Sequence, residues 1–250
     1  MTTIFRDRHD AGRRLAARLS TYANRPDVLV LALPRGGVPV GYEVAKALNV
    51  PLDVFLVRKL GVPGHEELAM GAIASGGVRV LNNEVVQAWH ISPDVIEAVT
   101  ADERRELARR EQMYRDDRPA PEVRGKTVIL VDDGLATGST MRAAAQALRN
   151  QDPAKIVAAV PVAAQSTCES LHDVVDEVVC ELTPRDFYAV GLWYADFSPT
   201  SDDEVRTLLQ DAESWNPRTG NRSASDAVPS LATDPRQIAR NLDSVTDTDT

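Results

Sequence analysis

Short apolar segments recur along this chain and alternate with segments of helical periodicity. The apolar segments are residues 28–33, 54–57, 127–131, 156–162 and 178–180. Runs of this length, bounded by Gly, Pro or polar residues, are typical of strands that are buried on both faces. Residues 38–48 and 141–148 place apolar residues at helical spacing. The alternation predicts an α/β fold: an open parallel sheet with helices on both faces and right-handed crossovers.

The part of the chain between the second and third runs departs from this alternation. Residues 58–69 are polar and predict a loop, and residues 70–81 predict a hairpin around Ser75-Gly76-Gly77. Residues 92–115 predict a long charged helix, because Ser92-Pro93-Asp94 combines an N-cap with a proline in the first turn. This helix is an exposed amphipathic helix, a small cap or hood over a site, or a contact in a homodimer.

The C-terminal part of the chain differs in composition from the rest. Between residues 216 and 250, 21 of 35 residues are Ser, Thr, Asn, Asp, Gly or Pro. Such a segment buries too little apolar surface to offset the entropy that is lost on ordering. We therefore predict a folded domain over residues 1–212 and a disordered C-terminal tail over residues 213–250.

Charge and hydropathy exclude several classes of protein. The chain has 37 acidic and 28 basic residues, and its net charge of −9 argues against a nucleic-acid partner bound through phosphates. No run approaches the roughly 18 apolar residues of a membrane span, and the first residues carry no apolar signal segment. We expect a cytoplasmic protein with no membrane partner, in which Cys168 and Cys180 are small buried thiols.

The residues that follow the third apolar run form the most informative motif. The loop Asp132-Asp133-Gly134-Leu135-Ala136-Thr137-Gly138-Ser139-Thr140 leads into a helix, whose first amides are unpaired. Amides, hydroxyls and a positive helix end make a phosphate cradle, whereas two carboxylates suit sugar hydroxyls or a metal on the same ligand. The combination predicts a phosphorylated sugar as the ligand. It is not a Walker A loop, because three residues separate Gly134 from Gly138 and no Lys follows.

This motif resembles the PRPP-binding motif of the type I phosphoribosyltransferases, where PRPP is 5-phosphoribosyl 1-pyrophosphate. In that family a hydrophobic strand is followed by two acidic residues and a T-G-x-T phosphate loop. Pro34-Arg35-Gly36-Gly37 stands where the family has its pyrophosphate loop, and residues 58–70 stand where it has a mobile catalytic loop. The similarity covers residues 5–200, and the segments F-R-D-R and L-P-R-G-G-V are typical of a poorly characterised bacterial branch.

The resemblance implies a reaction and a role for the matching residues. The reaction transfers ribose 5-phosphate from PRPP to a nitrogen nucleophile, with a purine-like base preferred, and releases pyrophosphate; no motif identifies the acceptor. Asp132 and Asp133 would bind the ribose hydroxyls and seat Mg²⁺, directly or through water. The residues that would bind the 5-phosphate are Ala136, Thr137, Gly138, Ser139 and Thr140. The residues that would bind the pyrophosphate are Arg35, Gly36 and Gly37.

The resemblance places the catalytic residues Arg58, Lys59 and Glu67 in the polar loop. Arg58 and Lys59 would neutralise the charge that grows on the leaving pyrophosphate, and the loop would close as a lid that excludes water. Ala136 replaces an acidic residue of the hypoxanthine–guanine branch, so the motif is closer to the adenine branch, which has a Glu in the mobile loop instead. Glu66 and Glu67 are the candidates for that role. The peptide bond between Arg35 and Gly36 is expected to be cis.

Two other functions remain open on the sequence. Relatives with the same motif have lost or changed catalysis, so a non-catalytic regulatory protein that senses PRPP or a nucleotide is the main alternative. A phosphosugar or nucleotide hydrolase would release inorganic phosphate or free base without an acceptor. Pyrophosphate release that depends on a base distinguishes the transferase from both.

Overall fold

The computed structural model describes residues 4–116 and 118–215. The last described element is a helix that reaches Trp215 and so enters the segment predicted as a tail. The disorder predicted from residue 216 onwards lies outside the described residues. Within the two described ranges, no helix is both long enough and apolar enough to cross a membrane.

The strands in the described part of the chain form two sheets. In chain order they are β1 (Val28–Ala32), β2 (Leu52–Val54), β3 (Val57–Val62), β4 (His65–Ala74), β5 (Val78–Leu81), β6 (Thr127–Val131), β7 (Lys155–Val162) and β8 (Glu177–Leu182). Five of them pair in parallel in the order β2-β1-β6-β7-β8. The remaining three form an antiparallel sheet in the order β3-β4-β5. The predicted open parallel sheet is confirmed.

Helices cover both faces of the parallel sheet, as predicted. The helices are α1 (Arg8–Arg18), α2 (Gly37–Leu48), α3 (Asn83–Ala88), α4 (Pro93–Arg115), α5 (Ser139–Arg149), α6 (Gln165–Leu171) and α7 (Asp202–Trp215). Residues of α1, α2, α4 and α7 share one core with Val30 of β1, whereas residues of α5 and α6 share a second core with Leu31. Because side chains alternate between the two faces of a strand, each central apolar run supplies both cores.

The antiparallel sheet corrects the prediction of a polar loop over residues 58–69. Val57 pairs with Ala74 and Leu60 pairs with Gly71, so this segment is most of a hairpin whose turn contains Gly64, with φ of +79°. Backbone pairing stabilises these strands although the side chains of the segment show no apolar alternation. The hairpin predicted over residues 70–81 is confirmed, since Ala74 pairs with Val78.

Cys168 and Cys180 form a disulfide, and the expectation of two free thiols is wrong. Their Sγ atoms are 1.97 Å apart and their Cα atoms 6.9 Å apart. Cys168 lies in α6 and Cys180 in β8, the outermost strand of the parallel sheet. The connection from α6 to β8 folds back on itself, and this brings together two cysteines that are only 12 positions apart.

Helix α4 begins and ends as the sequence predicts, and a buried arginine holds its end. The side chain of Ser92 accepts a hydrogen bond from the amide of Val95, which makes Ser92 the N-cap. At the other end, Arg115 is 2% exposed. Its Nε donates to Asp53 Oδ1 at 2.9 Å, and one Nη donates to the carbonyl of Val54. These bonds attach α4 to the end of β2.

Candidate active site

Two loops meet at the carboxyl ends of β1 and β6, which is the edge where open parallel sheets bind ligands. The amide of Leu33 donates to the carbonyl of Val131 at 2.8 Å, so the two loops begin side by side. Residues 33–36 form the first loop and, with Gly37 at the start of α2, contain the predicted pyrophosphate-binding residues. Residues 132–138 form the second loop and contain the acidic pair and most of the phosphate motif.

Gly36 and Gly37 lie directly against the acidic pair. A Cβ atom added at Gly36 would lie 2.1 Å from Asp133 Oδ2, and one added at Gly37 would lie 2.8 Å from the carbonyl oxygen of Val131. Any side chain at either position would therefore displace the acidic pair or the strand before it. The close approach of the two loops explains both glycines, and their contact with pyrophosphate stays a prediction.

Asp132 and Asp133 are neighbouring carboxylates with different partners. Asp132 Oδ1 accepts a hydrogen bond from the amide of Asp133 at 2.8 Å, and Asp133 Oδ2 accepts one from Arg8 Nε at 2.8 Å. Burial raises the pKa of both carboxyls; the charge of Asp133 raises the pKa of Asp132 further, whereas Arg8 opposes the rise at Asp133. Two half-buried carboxylates thus lie side by side while the arginine pairs with Asp133, an arrangement that favours an additional cation or hydroxyl donors.

Arg8 is the main residue of this site that the sequence analysis missed. Its side chain is 11% exposed. One Nη donates to the carbonyl of Ser198 at 2.7 Å, and the guanidinium lies 4.0 Å from the centre of the Phe197 ring. Arg8 belongs to the F-R-D-R segment, but 125 positions separate it from Asp133 and no local pattern connects the two. The arginine is held on three sides and fixes the carboxylate of Asp133.

We expect Arg8→Gln to lower the free energy of unfolding by about 2–3 kcal/mol, because it leaves Asp133 as an unpaired and largely buried charge. Urea unfolding followed by circular dichroism measures the change. Arg6→Gln is the matched control: Arg6 is 73% exposed and pairs with Asp10 at 3.4 Å, and such surface pairs contribute little. Equal losses in the two variants would contradict the special role of Arg8.

The phosphate motif surrounds the N-terminus of α5. Gly138 is the N-cap residue with φ of +71°, a conformation that favours glycine. Gly138 supplies no side-chain cap to α5, and the amide of Ser139 donates to Thr137 Oγ1 in a long hydrogen bond of 3.4 Å, which a bound anion would replace. The exposed hydroxyls of Thr137 and Ser139 lie 2.9 Å apart, and Thr140 is also exposed. The arrangement suits a phosphate group.

Two further side chains hold this second loop in place. Thr167 of α6 donates through Oγ1 to the carbonyl of Ala136 at 2.8 Å. The hydroxyl of Tyr194 donates to the carbonyl of Asp133 at 2.5 Å. Burial, together with the nearby charge of Asp133, raises the pKa of Tyr194, so this hydroxyl remains a donor. The loop is therefore fixed from both sides before any ligand binds.

The cis peptide bond lies one residue earlier than predicted. It joins Pro34 to Arg35 rather than Arg35 to Gly36. Gly36 already has helical backbone angles as the N-cap residue of α2. The guanidinium of Arg35 lies 3.9 Å from the carboxylate of Asp202, at the start of α7. Arg35 thus belongs to the loop that packs against the acidic pair but contacts a different acidic residue.

The predicted catalytic residues lie on the β3–β4 hairpin and not in a loop. Adjacent residues of a strand point to opposite faces. Arg58 pairs with Glu103 of α4 at 2.6 Å, whereas Lys59 lies 3.5 Å from the exposed carboxylate of Glu67. Glu66 accepts a hydrogen bond from the amide of Gly64 at the turn. Joint action of Arg58 and Lys59 on one pyrophosphate would therefore require the hairpin to rearrange.

The acidic pair fits a magnesium ion that is bound together with a ligand. The described residues contain no cluster of three or more His, Cys, Asp or Glu side chains that could hold a metal. Mg²⁺ is commonly bound by one or two carboxylates together with substrate phosphates and water. Asp132 and Asp133 supply the carboxylates, so the site suits Mg²⁺ as part of a complex with a phosphorylated ligand.

The fold and the site define an α/β domain in which the start of a helix after a glycine turn lies beside a pair of half-buried carboxylates. A family model described as the phosphoribosyl transferase domain matches residues 3–192. This chain belongs to the phosphoribosyl transferase family, and the resemblance found in the sequence is confirmed.

Individual relatives agree with this assignment. Two Mycobacterium tuberculosis proteins, from strains CDC 1551 and H37Rv, are provisionally named phosphoribosyl transferases and are 48% identical over 209 residues. The match covers 84% of this chain and 47% of each relative, so the chain spans about half the length of these curated relatives. The crystal structure of TT1426 from Thermus thermophilus is 41% identical, with a TM-score of 0.76, and the match covers 85% of this chain and 99% of that chain.

Proposed function

We propose that this protein is a PRPP-dependent phosphoribosyltransferase that transfers ribose 5-phosphate to a nitrogen nucleophile and releases pyrophosphate. The observation that carries the proposal is the position of Asp132 and Asp133 between the glycine turn and the N-terminus of α5. One compact ligand with phosphate groups and vicinal hydroxyls would satisfy all three features. The acceptor is unidentified, with a purine-like base preferred, and we place the reaction in nucleotide metabolism.

The proposed reaction depends on positioning and charge. The anomeric carbon becomes oxocarbenium-like as pyrophosphate leaves, as in glycoside cleavage. The amides and hydroxyls of residues 136–140 would hold the 5-phosphate, and Asp132 and Asp133 would hold the ribose hydroxyls. Bound Mg²⁺ would supply charge neutralisation for the pyrophosphate. Arg35 would stabilise the charge on the leaving group, and Arg58, Lys59 and Glu67 would join it once the hairpin closes.

A thermal-unfolding titration with PRPP tests this function. A ligand at 100 times its Kd stabilises the folded state by about 2.7 kcal/mol. We expect PRPP to raise the unfolding temperature, and to raise it further with Mg²⁺ than with EDTA. Ribose 5-phosphate is the control, because it offers the same phosphate and hydroxyls without the pyrophosphate. Absence of a shift at millimolar PRPP would contradict the proposal.

A regulatory protein that binds PRPP without transferring it is the alternative. The ion pair between Arg58 and Glu103 favours this alternative, because it holds a predicted catalytic residue against α4 and not against the loops that would bind the ligand. A transferase releases pyrophosphate only when a suitable base is present, whereas a sensor shifts its unfolding temperature without any release. The predicted cytoplasmic location and homodimer belong to either function.

A further inference from the structure

A small polar cavity is lined in part by Pro34 and Arg35 of the predicted pyrophosphate loop. Its volume is about 250 Å³, and its polar lining comprises Arg35, Arg109, Arg110, Tyr114 and Asp202. This volume is small for an organic ligand of drug size. The lining combines one residue of the turn after β1 with residues of α4 and the first residue of α7.

The lining of this cavity carries an excess of positive charge. Three guanidinium groups line the cavity with the carboxylate of Asp202, and two of these groups also pair with Glu106, so the net charge of these groups remains positive. Asp202 lies 3.9 Å from Arg35 and accepts a hydrogen bond from the hydroxyl of Tyr114 at 2.5 Å. A neighbouring cavity continues from Arg35 along the start of α7 and adds the oppositely charged Asp203 and Arg206.

Glu106 fixes the two arginines of α4 that line the cavity, Arg109 and Arg110, without using all of their donors. Its carboxylate lies 2.8 Å from the Nε of Arg109 and 2.8 Å from the Nε of Arg110. A guanidinium has five N–H donors in a planar fork. Glu106 accepts two hydrogen bonds from Arg109 and one from Arg110. Both side chains therefore keep donors while their positions relative to each other are set.

We propose that this cavity binds a diphosphate anion, and that its ligand is the pyrophosphate released in the reaction. Arginine forks match phosphate oxygens in geometry and in charge. Arg35 belongs both to the pyrophosphate loop and to this cavity, so a leaving pyrophosphate that moves past the glycine turn meets Arg110 and Arg109 next. The identity of the ligand rests on the proposed function, whereas the affinity of the cavity for a diphosphate does not.

Asp202 competes with the ligand for Arg35 in this proposal. A diphosphate that binds Arg35 would replace a carboxylate that lies 3.9 Å from the guanidinium. Removing the charge of Asp202 should therefore strengthen binding, whereas removing the charges of Arg109 and Arg110 should weaken it. The two changes act on different helices that line the same cavity, α7 and α4, and a general change in protein stability would not produce opposite effects.

Isothermal titration of the full chain with sodium pyrophosphate, in EDTA and at low salt, tests the site. EDTA keeps Mg²⁺ from attracting pyrophosphate to the acidic pair. We expect R109Q/R110Q to weaken binding about tenfold or more, since one charged hydrogen bond contributes about that factor, and D202N to strengthen it several-fold. Arg105→Gln is the matched control: Arg105 lies on the same helix, is 79% exposed and pairs with Asp102, so its loss should leave the affinity unchanged.

Equal pyrophosphate affinity in R109Q/R110Q and R105Q would overturn the site, and so would absence of binding by the wild-type protein. Unfolding temperatures of the variants show whether each one is folded. The proposed function can fail while the site stands. If PRPP neither binds nor reacts but pyrophosphate binding is still lost in R109Q/R110Q, the protein has a diphosphate site and is not a PRPP-dependent transferase. If the protein turns over PRPP but R109Q/R110Q binds pyrophosphate as the wild-type protein does, the proposed function stands and the proposed diphosphate site is wrong.

Discussion

Asp132→Asn is expected to abolish phosphoribosyl transfer and at the same time to raise the free energy of unfolding. Asn keeps the acceptor that Asp132 Oδ1 presents to the amide of Asp133, so the loop geometry is retained. It loses the charge that would bind the ribose hydroxyls and Mg²⁺, and we expect the rate to fall by about 100-fold or more. Loss of activity with gain of stability is typical of a functional charge that the fold itself disfavours.

The sign of the stability change follows from the pKa of Asp132. Burial and the charge of Asp133 raise that pKa in the folded protein. The unfolded chain therefore ionises Asp132 at a lower pH than the folded protein does, and the ionised carboxyl destabilises the fold above its unfolded pKa. As pH falls through the raised pKa, this cost disappears from the wild-type protein. Asp132→Asn should remove it at every pH, so the two unfolding curves should converge in acid.

Asp133→Asn provides the matched comparison. This substitution also removes a carboxyl whose pKa is raised by burial, but Arg8, 2.8 Å away, opposes that rise, so it should stabilise the fold less than Asp132→Asn does while it also lowers the transfer rate. Urea unfolding at pH 7 and pyrophosphate release measure the two effects in both variants. A normal rate in Asp132→Asn would remove the acidic pair from the mechanism, and a stability no higher than that of Asp133→Asn would contradict the charge argument.

The parallel sheet could be predicted because its strands are buried on both faces. Val28 to Ala32 and Thr127 to Val131 are buried along their whole length, and such strands form continuous apolar runs in the sequence. Strand β3 contains Arg58 and Lys59 and has partly exposed faces, so its sequence lacks both an apolar run and an alternation. Its pairing with β4 depends on backbone hydrogen bonds, which leave no pattern in the side chains.

The candidate site could be located from the sequence, but its internal contacts could not. The motif from Asp132 to Thr140 is local, because a strand, a turn and a helix start occupy consecutive residues. Arg8, Thr167 and Tyr194 contact that loop from distant parts of the chain, and only the packing of α1, α6 and the segment after β8 brings them there. The disulfide was missed for a similar reason, since two isolated cysteines carry no spacing signal.

Arg115→Met is expected to produce the largest loss of stability of the substitutions considered for α4. Arg115 is 2% exposed and lies 2.9 Å from Asp53 and 3.3 Å from Glu111. Methionine fills a similar volume but removes the guanidinium that donates to the carboxylate of Asp53 and to the carbonyl of Val54. Breaking one side of a buried ion pair costs about 3–5 kcal/mol, so we expect a loss of that size in urea unfolding.

Two further variants distinguish this interpretation from a general effect of removing an arginine. Arg115→Lys keeps the charge but cannot donate to Asp53 and Val54 through one rigid fork, so its loss should be intermediate. Arg124→Met removes an arginine that is 74% exposed and lies 2.9 Å from Asp152, and it should have little effect. Similar losses for Arg115→Met and Arg124→Met would show that Arg115 does not hold α4. A large loss confined to Arg115→Met would show that Arg115 holds the end of α4, the helix that carries Arg109 and Arg110.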